Sequence, residues 1–326
     1  MTKTLTETPT KTVPDSKRAM IALATNPLQS GFRQATDRGG DSGGHGRVPS
    51  PSRRRRFAAV LPGFGTSAAI TSLVMVALVV FPLSVLVLRA ATLGPAGFVA
   101  AAWTPRARAA YAVSLGASAL AAVISSALGL VVAWVLARID FAGRRLLDAL
   151  VDVPLALPTA VAGLVYSALY VKQGWLGQFL VPLGIQGAYS FLGIVLVLVF
   201  VSLPFAVRVV QPVIESLDRD TEEAARMLGA SRAQTFMHVV LPAILPAVVT
   251  GFALSLARAL GEYGSVVFIS GNMPFKTEIA PVLIVARLEE FAYAEATAIA
   301  VVLLAMSIAL LVVINALQQR LARNAQ

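Results

Sequence analysis

Apolar runs of about twenty residues recur along this 326-residue chain, and no other feature constrains its fold as strongly. A run of that length crosses the ~30 Å hydrocarbon core of a bilayer as an α-helix. In lipid every backbone N–H and C=O must be bonded within the protein, so only helices and closed barrels can span. The alternating strands of a membrane barrel would not give long unbroken runs. The chain therefore reads as an all-α, multi-pass membrane protein. Six spans are legible, near residues 66–88, 111–137, 151–171, 189–210, 245–268 and 295–317. The second is longer than one crossing needs, which predicts tilt or projection into water. Composition agrees: 57% of residues are hydrophobic and 13% charged, against roughly 25% charged in a soluble domain.

Charge predicts the sidedness. Residues 1–56 hold eleven Lys/Arg against four Asp/Glu, most of the net charge of +10. This stretch is rich in Thr, Pro, Ser and Gly, cannot bury a core, and reads as a disordered basic tail. No folded module or aromatic interleaving accompanies its charge, so membrane lipid, not nucleic acid, is the expected partner. Arg53 to Arg56, just ahead of the first apolar run, read as a topogenic flank. That run starts too far from Met1, and is too long, to be a cleaved signal peptide. Arginines recur in alternate loops: Arg138, Arg144 and Arg145, then Arg208, Arg219, Arg226 and Arg232, then Arg320 and Arg323. Lys172 stands alone between spans three and four, while Arg89, Arg106 and Arg108 dissent in the first outside loop. The majority predicts both termini in the cytoplasm.

Several chemistries are disfavoured. There is no cysteine, and His45 and His238 lie far apart, so neither a metal site nor any other cofactor is expected. No G-x-x-x-x-G-K-[ST] phosphate loop occurs, so the chain is not expected to bind ATP or act as an enzyme. "GFGTSA" at 63–68 imitates a dinucleotide turn but precedes a span instead of following a strand. Few ionisable groups fall within the spans, which argues against an ion-coupled carrier with a proton relay. Pro82, Pro154, Pro158, Gly163, Gly193 and Pro204 do fall within spans. They read either as ordinary membrane-helix residues or as kinks about which helices rock.

One polar insert, "EAARMLGASRAQTFMHVVLP" at 223–242, interrupts the apolar pattern. Its local signals predict two short helices. Asp220 is placed to cap the first, with Glu223 in the reciprocal position, and Gly229 to end it. Ser231 is placed to cap the second, with Gln234 three residues on. Ala224, Met227 and Leu228 share one face. The stripe fits docking against another protein, but by itself it is better explained by packing on the protein's own helices or on the membrane interface. A second exception is "ARALGEYGS". Arg258 and Glu262 lie four apart on one helical face at the end of span five. They read as a self-neutralising structural pair, or as an anion path in which Glu262 holds Arg258. Gly261 and Gly264 would let the helix bend or let the backbone of Tyr263 and Ser265 approach a ligand. In the following loop Lys276 reads as an anion contact or, as the simpler expectation, as the partner of Glu278. "RLEEFAYAEA" reads as a docking rim or interfacial segment.

The insert resembles the EAA signature of permease subunits of bacterial ABC importers. The pattern is Glu-Ala-Ala, three residues, Gly, nine residues, Ile, one residue, Leu-Pro. It falls here on Glu223, Ala224, Ala225, Gly229, Val239, Leu241 and Pro242, with Val239 in place of Ile. "DALVDVPLALPTAVAGLVYSALY" and "RALGEYGSVVFISGNMPFKTEIAPVLIVARLEEFAYAEATAIAVV" are similar to the CysT-type sulfate/thiosulfate permease family. The similarity runs over roughly residues 66–320. It implies a six-helix type I ABC importer permease (MetI-like) fold in a bacterial inner membrane. The implied parts are a translocator over 57–320, an ATPase-coupling loop at 219–242, and tails at 1–56 and 321–326. The implied partners are a paralogous permease as the other half of a heterodimer, two cytoplasmic ATPase subunits, and a periplasmic sulfate/thiosulfate-binding protein. Molybdate or another oxyanion is the alternative cargo, since permeases for molybdate share a similar glycine-acidic turn.

Overall fold

A computed structural model describes residues 64–324, with side chains from 65 to 320. The 1–56 tail, with His45 and Arg53 to Arg56, and the side chains of 321–326 lie outside the described residues. Contacts divide the chain into two units, Met1–Ala68 and Ala69–Gln326. Only the opening of a helix is described in the first, so the architecture below is that of the second.

All the regular structure among the described residues is helical, with no strand. The first apolar run forms α1 (Phe64–Met75), a π-helical turn at Val76–Val80, and α2 (Phe81–Ala91). None of its most apolar window is buried among the described residues. A short α3 (Gly94–Ala102) leads to α4 (Pro105–Arg138). Thr104 caps α4 by accepting from Ala107 N–H, and Pro105 presets its first turn. Its 34 residues rise about 50 Å, well beyond the bilayer core, so the expected projection is present.

The third predicted span is not one straight helix. It is α5 (Arg144–Ala156) and α6 (Thr159–Tyr170), bent by 106° at the break. Leu157 and Pro158 are both extended there, because the proline ring disfavours the helical region for the residue before it. Pro204 and Pro212 leave their helix unbroken. That helix, α8 (Phe191–Ser216), follows a loop holding the single-turn α7 (Gly177–Leu180). Beyond it lie α9 (Arg219–Met227), α10 (Arg232–Thr235), a π-helical turn at Phe236–Val240, and α11 (Leu241–Leu260). The fifth predicted span, drawn to 268, ends instead at Leu260, in a turn before α12 (Val266–Ile269). Then come α13 (Ala280–Glu289) and α14 (Tyr293–Asn324). Among the described residues five helices are long and apolar enough to cross a membrane, and six if the bent α5–α6 pair counts as one span.

The centre of the fold is α4, α8 and α11 packed on one another. Small residues make this possible. Ala110, Ser114, Ala117, Ser118, Ala121, Ser125, Gly129 and Ala133 form the buried stripe of α4, and such side chains let helix backbones approach closely in lipid. Ala206 of α8 sits between two glycines: a Cβ on Gly129 would lie 2.6 Å from its Cβ, and one on Gly251 3.2 Å from its Cα. Buried hydroxyls stitch the same three helices. Ser125 Oγ lies 2.8 Å from Ser202 Oγ, and Ser255 Oγ donates to the Ser202 carbonyl at 3.1 Å. Each such bond between membrane helices contributes about 0.6 kcal/mol. At the rim, α14 packs against α2, α3, α11 and α13.

Candidate functional site

The polar insert is the two capped helices α9 and α10, held against the end of the central bundle. The first cap lies at Asp218, whose Oδ1 accepts from Asp220 N–H at 3.0 Å. Asp220 therefore does not cap the helix, nor does Glu223 reciprocate. Leu217 packs beside α4 and α8 and starts the helix two residues early. Gly229 takes φ +88°, the left-handed stop that glycine allows. Ser231 and Gln234 form the complete capping box: Ser231 N–H donates to Gln234 Oε1 at 2.8 Å, and Gln234 N–H to Ser231 Oγ at 3.3 Å. The π-helical turn then carries the chain into α11 without a loop. Leu241 joins the apolar cluster around Val207, Val210 and Ile244, and Pro242 sits where the π-helical turn passes into α11.

The predicted stripe faces outward. Ala224 is exposed, and Met227 and Leu228 keep 88% and 90% of their surface. Glu223 is exposed without a side-chain partner among the described residues. The anchoring acid is its neighbour, Glu222, which accepts from Arg138 Nη2 at 2.8 Å and lies 3.6 Å from Arg226. Arg138, the last residue of α4, also donates to the Leu217 carbonyl at 3.4 Å. Its guanidinium lies 5.8 Å from the ring centroid of Trp134, which meets Phe236 edge-on. The helix with the exposed ridge is thus bolted to the central bundle by a nearly buried ion pair and an aromatic contact.

The second predicted constellation splits in two. Arg258 Nη1 meets Glu262 Oε2 at 2.5 Å. The other oxygen of Glu262 accepts from Ser265 N–H at 2.9 Å and Ser265 Oγ at 3.0 Å. Glu262 and Ser265 are buried, so the acid ties the end of α11 to the start of α12. Arg258, Tyr263 and Gly264 are half-buried and Gly261 is exposed. Gly261 has φ −86°, open to any residue, so no bend depends on it. Gly264 is required by close approach, since a Cβ there would collide with Thr159 Oγ1 of α6. A Cβ on Gly163 would likewise collide with the Ser265 carbonyl.

Two further arginines find acidic partners far along the chain. Arg106 donates to both oxygens of Glu278, at 2.8 and 2.7 Å. This accounts for a dissenting arginine of the first outside loop and removes Glu278 from the predicted pairing with Lys276. Arg208, in α8, grips Asp152 through Nε and Nη2 at 2.9 and 2.6 Å, and Asp148 through Nη1 at 2.6 Å. The signal for that cluster was present: two acids four apart on α5, and an arginine in an apolar span that needs a partner. In the "RLEEFAYAEA" segment Arg287 pairs with Glu290 at 2.6 Å and Glu295 at 3.3 Å.

Comparison with known proteins follows the same lines. A family model described as "Binding-protein-dependent transport system inner membrane component" matches residues 125–326. A sulfate transport system permease protein CysT from Escherichia coli is 47% identical over 265 residues, covering 81% of this chain and 96% of the relative. The CysT protein of Synechocystis sp. is 45% identical over 270 residues, 83% of this chain and 94% of the relative. A probable CysT protein of Nephroselmis olivacea is 48% identical over 250 residues, 77% and 88%. The fold is that of a crystallised bacterial ABC transporter that imports the acidic polysaccharide alginate, with TM-score 0.65 at 18% identity, covering 79% of this chain and 96% of that one. The central bundle with its bolted insert is thus the type I ABC importer permease (MetI-like) fold, and the chain belongs to the family of binding-protein-dependent transport system inner membrane components, among its CysT-type permeases.

Proposed function

We propose that this chain is one half of the membrane translocator of a sulfate or thiosulfate importer, driven by ATP that partner subunits hydrolyse. The observation that carries the reading is the insert: the Ala224, Met227 and Leu228 ridge stands exposed on a helix fixed through Glu222 to Arg138. A contact that transmits force needs a rigid mount and a free apolar tip, because burying apolar surface is the dominant favourable term in most protein association. Glu223, Ala224, Ala225, Gly229, Leu241 and Pro242 are assigned to this coupling segment, within a loop at 219–242. With no phosphate loop of its own, the chain depends on two ATPase subunits docked at that end. Near-half identity to CysT proteins over four-fifths of the chain supports sulfate as cargo.

The reading extends to the assembly. A paralogous permease completes the pore at a pseudo-twofold interface, and a periplasmic protein delivers the anion. The 57–320 translocator sits in a bacterial inner membrane with both termini, including the 1–56 and 321–326 tails, in the cytoplasm. ATP binding draws the coupling helices together and opens the pore outward; hydrolysis resets it. Of the path candidates, Arg258, Gly261, Tyr263 and Gly264 keep the exposure a passing anion would require, whereas Glu262 and Ser265 hold the turn.

Uptake of labelled sulfate, in a strain lacking its own sulfate permease and co-expressing the partner subunits, tests the proposal. ATP-dependent uptake is expected, falling about tenfold or more in Glu223→Ala, the size of a hot-spot loss. Unchanged uptake and ATPase binding in that variant would remove the coupling assignment. Uptake of molybdate that sulfate does not compete would reassign the cargo.

A further inference from the structure

The face of α9 opposite the ridge covers a cleft of about 500 Å³, within the usual size of small-molecule sites. It is lined by Arg138, Arg219, Arg226 and Arg232 together with Glu222, Glu223 and Trp134. Arg138 is neutralised by Glu222, and Arg226 lies near the same acid. Arg219 and Arg232 have no side-chain partner among the described residues, and Glu223, itself unpaired, opposes only one of them. The cleft thus carries an excess of positive charge and unused guanidinium donors, which suit the planar, bidentate recognition of a phosphate.

The surroundings identify the source of that phosphate. Leu120, Val123, Leu128 and Val131 are exposed along α4. Helical spacing continues this stripe to Trp134, three residues beyond Val131, and then to Arg138, both of which line the cleft. Ile139 and Phe141, just past the end of α4, are exposed as well. An apolar track that ends at an indole and a set of arginines has the profile of a lipid molecule: acyl chains, interface and headgroup in order.

We propose that this cleft seats the phosphate of an anionic phospholipid, with Arg219 and Arg232 as its principal contacts and the α4 stripe as the bed for its acyl chains. The site is separate from the cargo path, and it shares α9 and Glu223 with the segment proposed above to dock the ATPase. Occupation would hold α9 and the start of α10 to the bilayer surface, the two helices that carry the insert.

Native mass spectrometry and thermal unfolding of the full chain in detergent test it, titrating phosphatidylglycerol against phosphatidylcholine. The expected result is one retained phosphatidylglycerol per chain, bound roughly thirtyfold in preference to phosphatidylcholine, since each arginine at an anionic membrane surface adds about fivefold. The double variant Arg219→Gln/Arg232→Gln should bring the two lipids near parity. Arg219→Lys/Arg232→Lys should keep most of the preference, and Arg145→Gln, an exposed arginine outside the cleft, should keep all of it. Helical circular dichroism checks that each variant is folded. Equal binding of the two lipids, or a preference that survives the double glutamine variant, would overturn the proposal. So would millimolar phosphate or sulfate reproducing the stabilisation in phosphatidylcholine, which would give the cleft to a free oxyanion. Loss of ATPase association with lipid preference unchanged would give it to a protein partner.

Discussion

Glu222 and Glu223 are adjacent acids with different fates. Successive residues point about 100° apart around a helix, so one turns to α4 while the other keeps its side chain free. Glu222 and Arg138 are 14% and 11% exposed, and removing either partner leaves a charge in a site built for two. Arg138→Ala is expected to cost about 2–4 kcal/mol, slightly less than a fully buried pair because some water reaches this one. Arg144, paired with Asp140 at 39% and 92% exposure, should cost under about 1 kcal/mol when replaced by alanine. Denaturant unfolding of both variants in detergent makes the comparison. The sequence pattern located Glu223 because the EAA spacing is local. It gave no pointer to Arg138, which is 84 residues from Glu222, since no periodicity links residues that meet only in the tertiary fold.

The helices and turns show the same division. Both capped helices of the insert were legible, because a capping box and a left-handed glycine are chemistry within four residues. The first cap moved from Asp220 to Asp218 because Leu217, packed against the bundle, chooses which aspartate ends the extended segment. The break at Leu157–Pro158 was legible as a proline but not as a 106° bend. What settles that angle is contact: α6 packs on α12, and backbone meets backbone where Gly163 faces Ser265. Gly163→Ala must displace that carbonyl and is expected to lower stability by about 1–3 kcal/mol. Gly116→Ala, whose Cβ would find only a Phe191 ring atom at 4.0 Å, should be neutral or gain up to about 1 kcal/mol of helix propensity. Thermal unfolding in one detergent separates the two, and equal midpoints would refute the close-packing account.

For the molecule as a whole, the placement of charge bears on how transport is driven. The acids buried among the described residues are Glu262 and Glu278, held by Arg258 and Arg106. The larger cluster pairs Arg208 with Asp148 and Asp152. Carboxylates held by arginine make a poor proton relay, which needs groups that exchange protons along a path. The chain reconstituted without ATPase subunits should therefore move no sulfate above the protein-free rate under an imposed proton gradient. Gradient-driven uptake would remove the ATP-dependent reading. The amino-acid sequence was enough to set the membrane environment, the helical class, the apolar runs and the insert, because hydropathy, capping and motif spacing are properties of neighbouring residues. Only the folded chain decided that the third run is bent, that Glu222 anchors the insert, and that Arg106, Arg138 and Arg208 are neutralised by acids far along the chain. Those outcomes depend on which helix faces approach closely, and that is set by small residues and buried pairs meeting across the bundle.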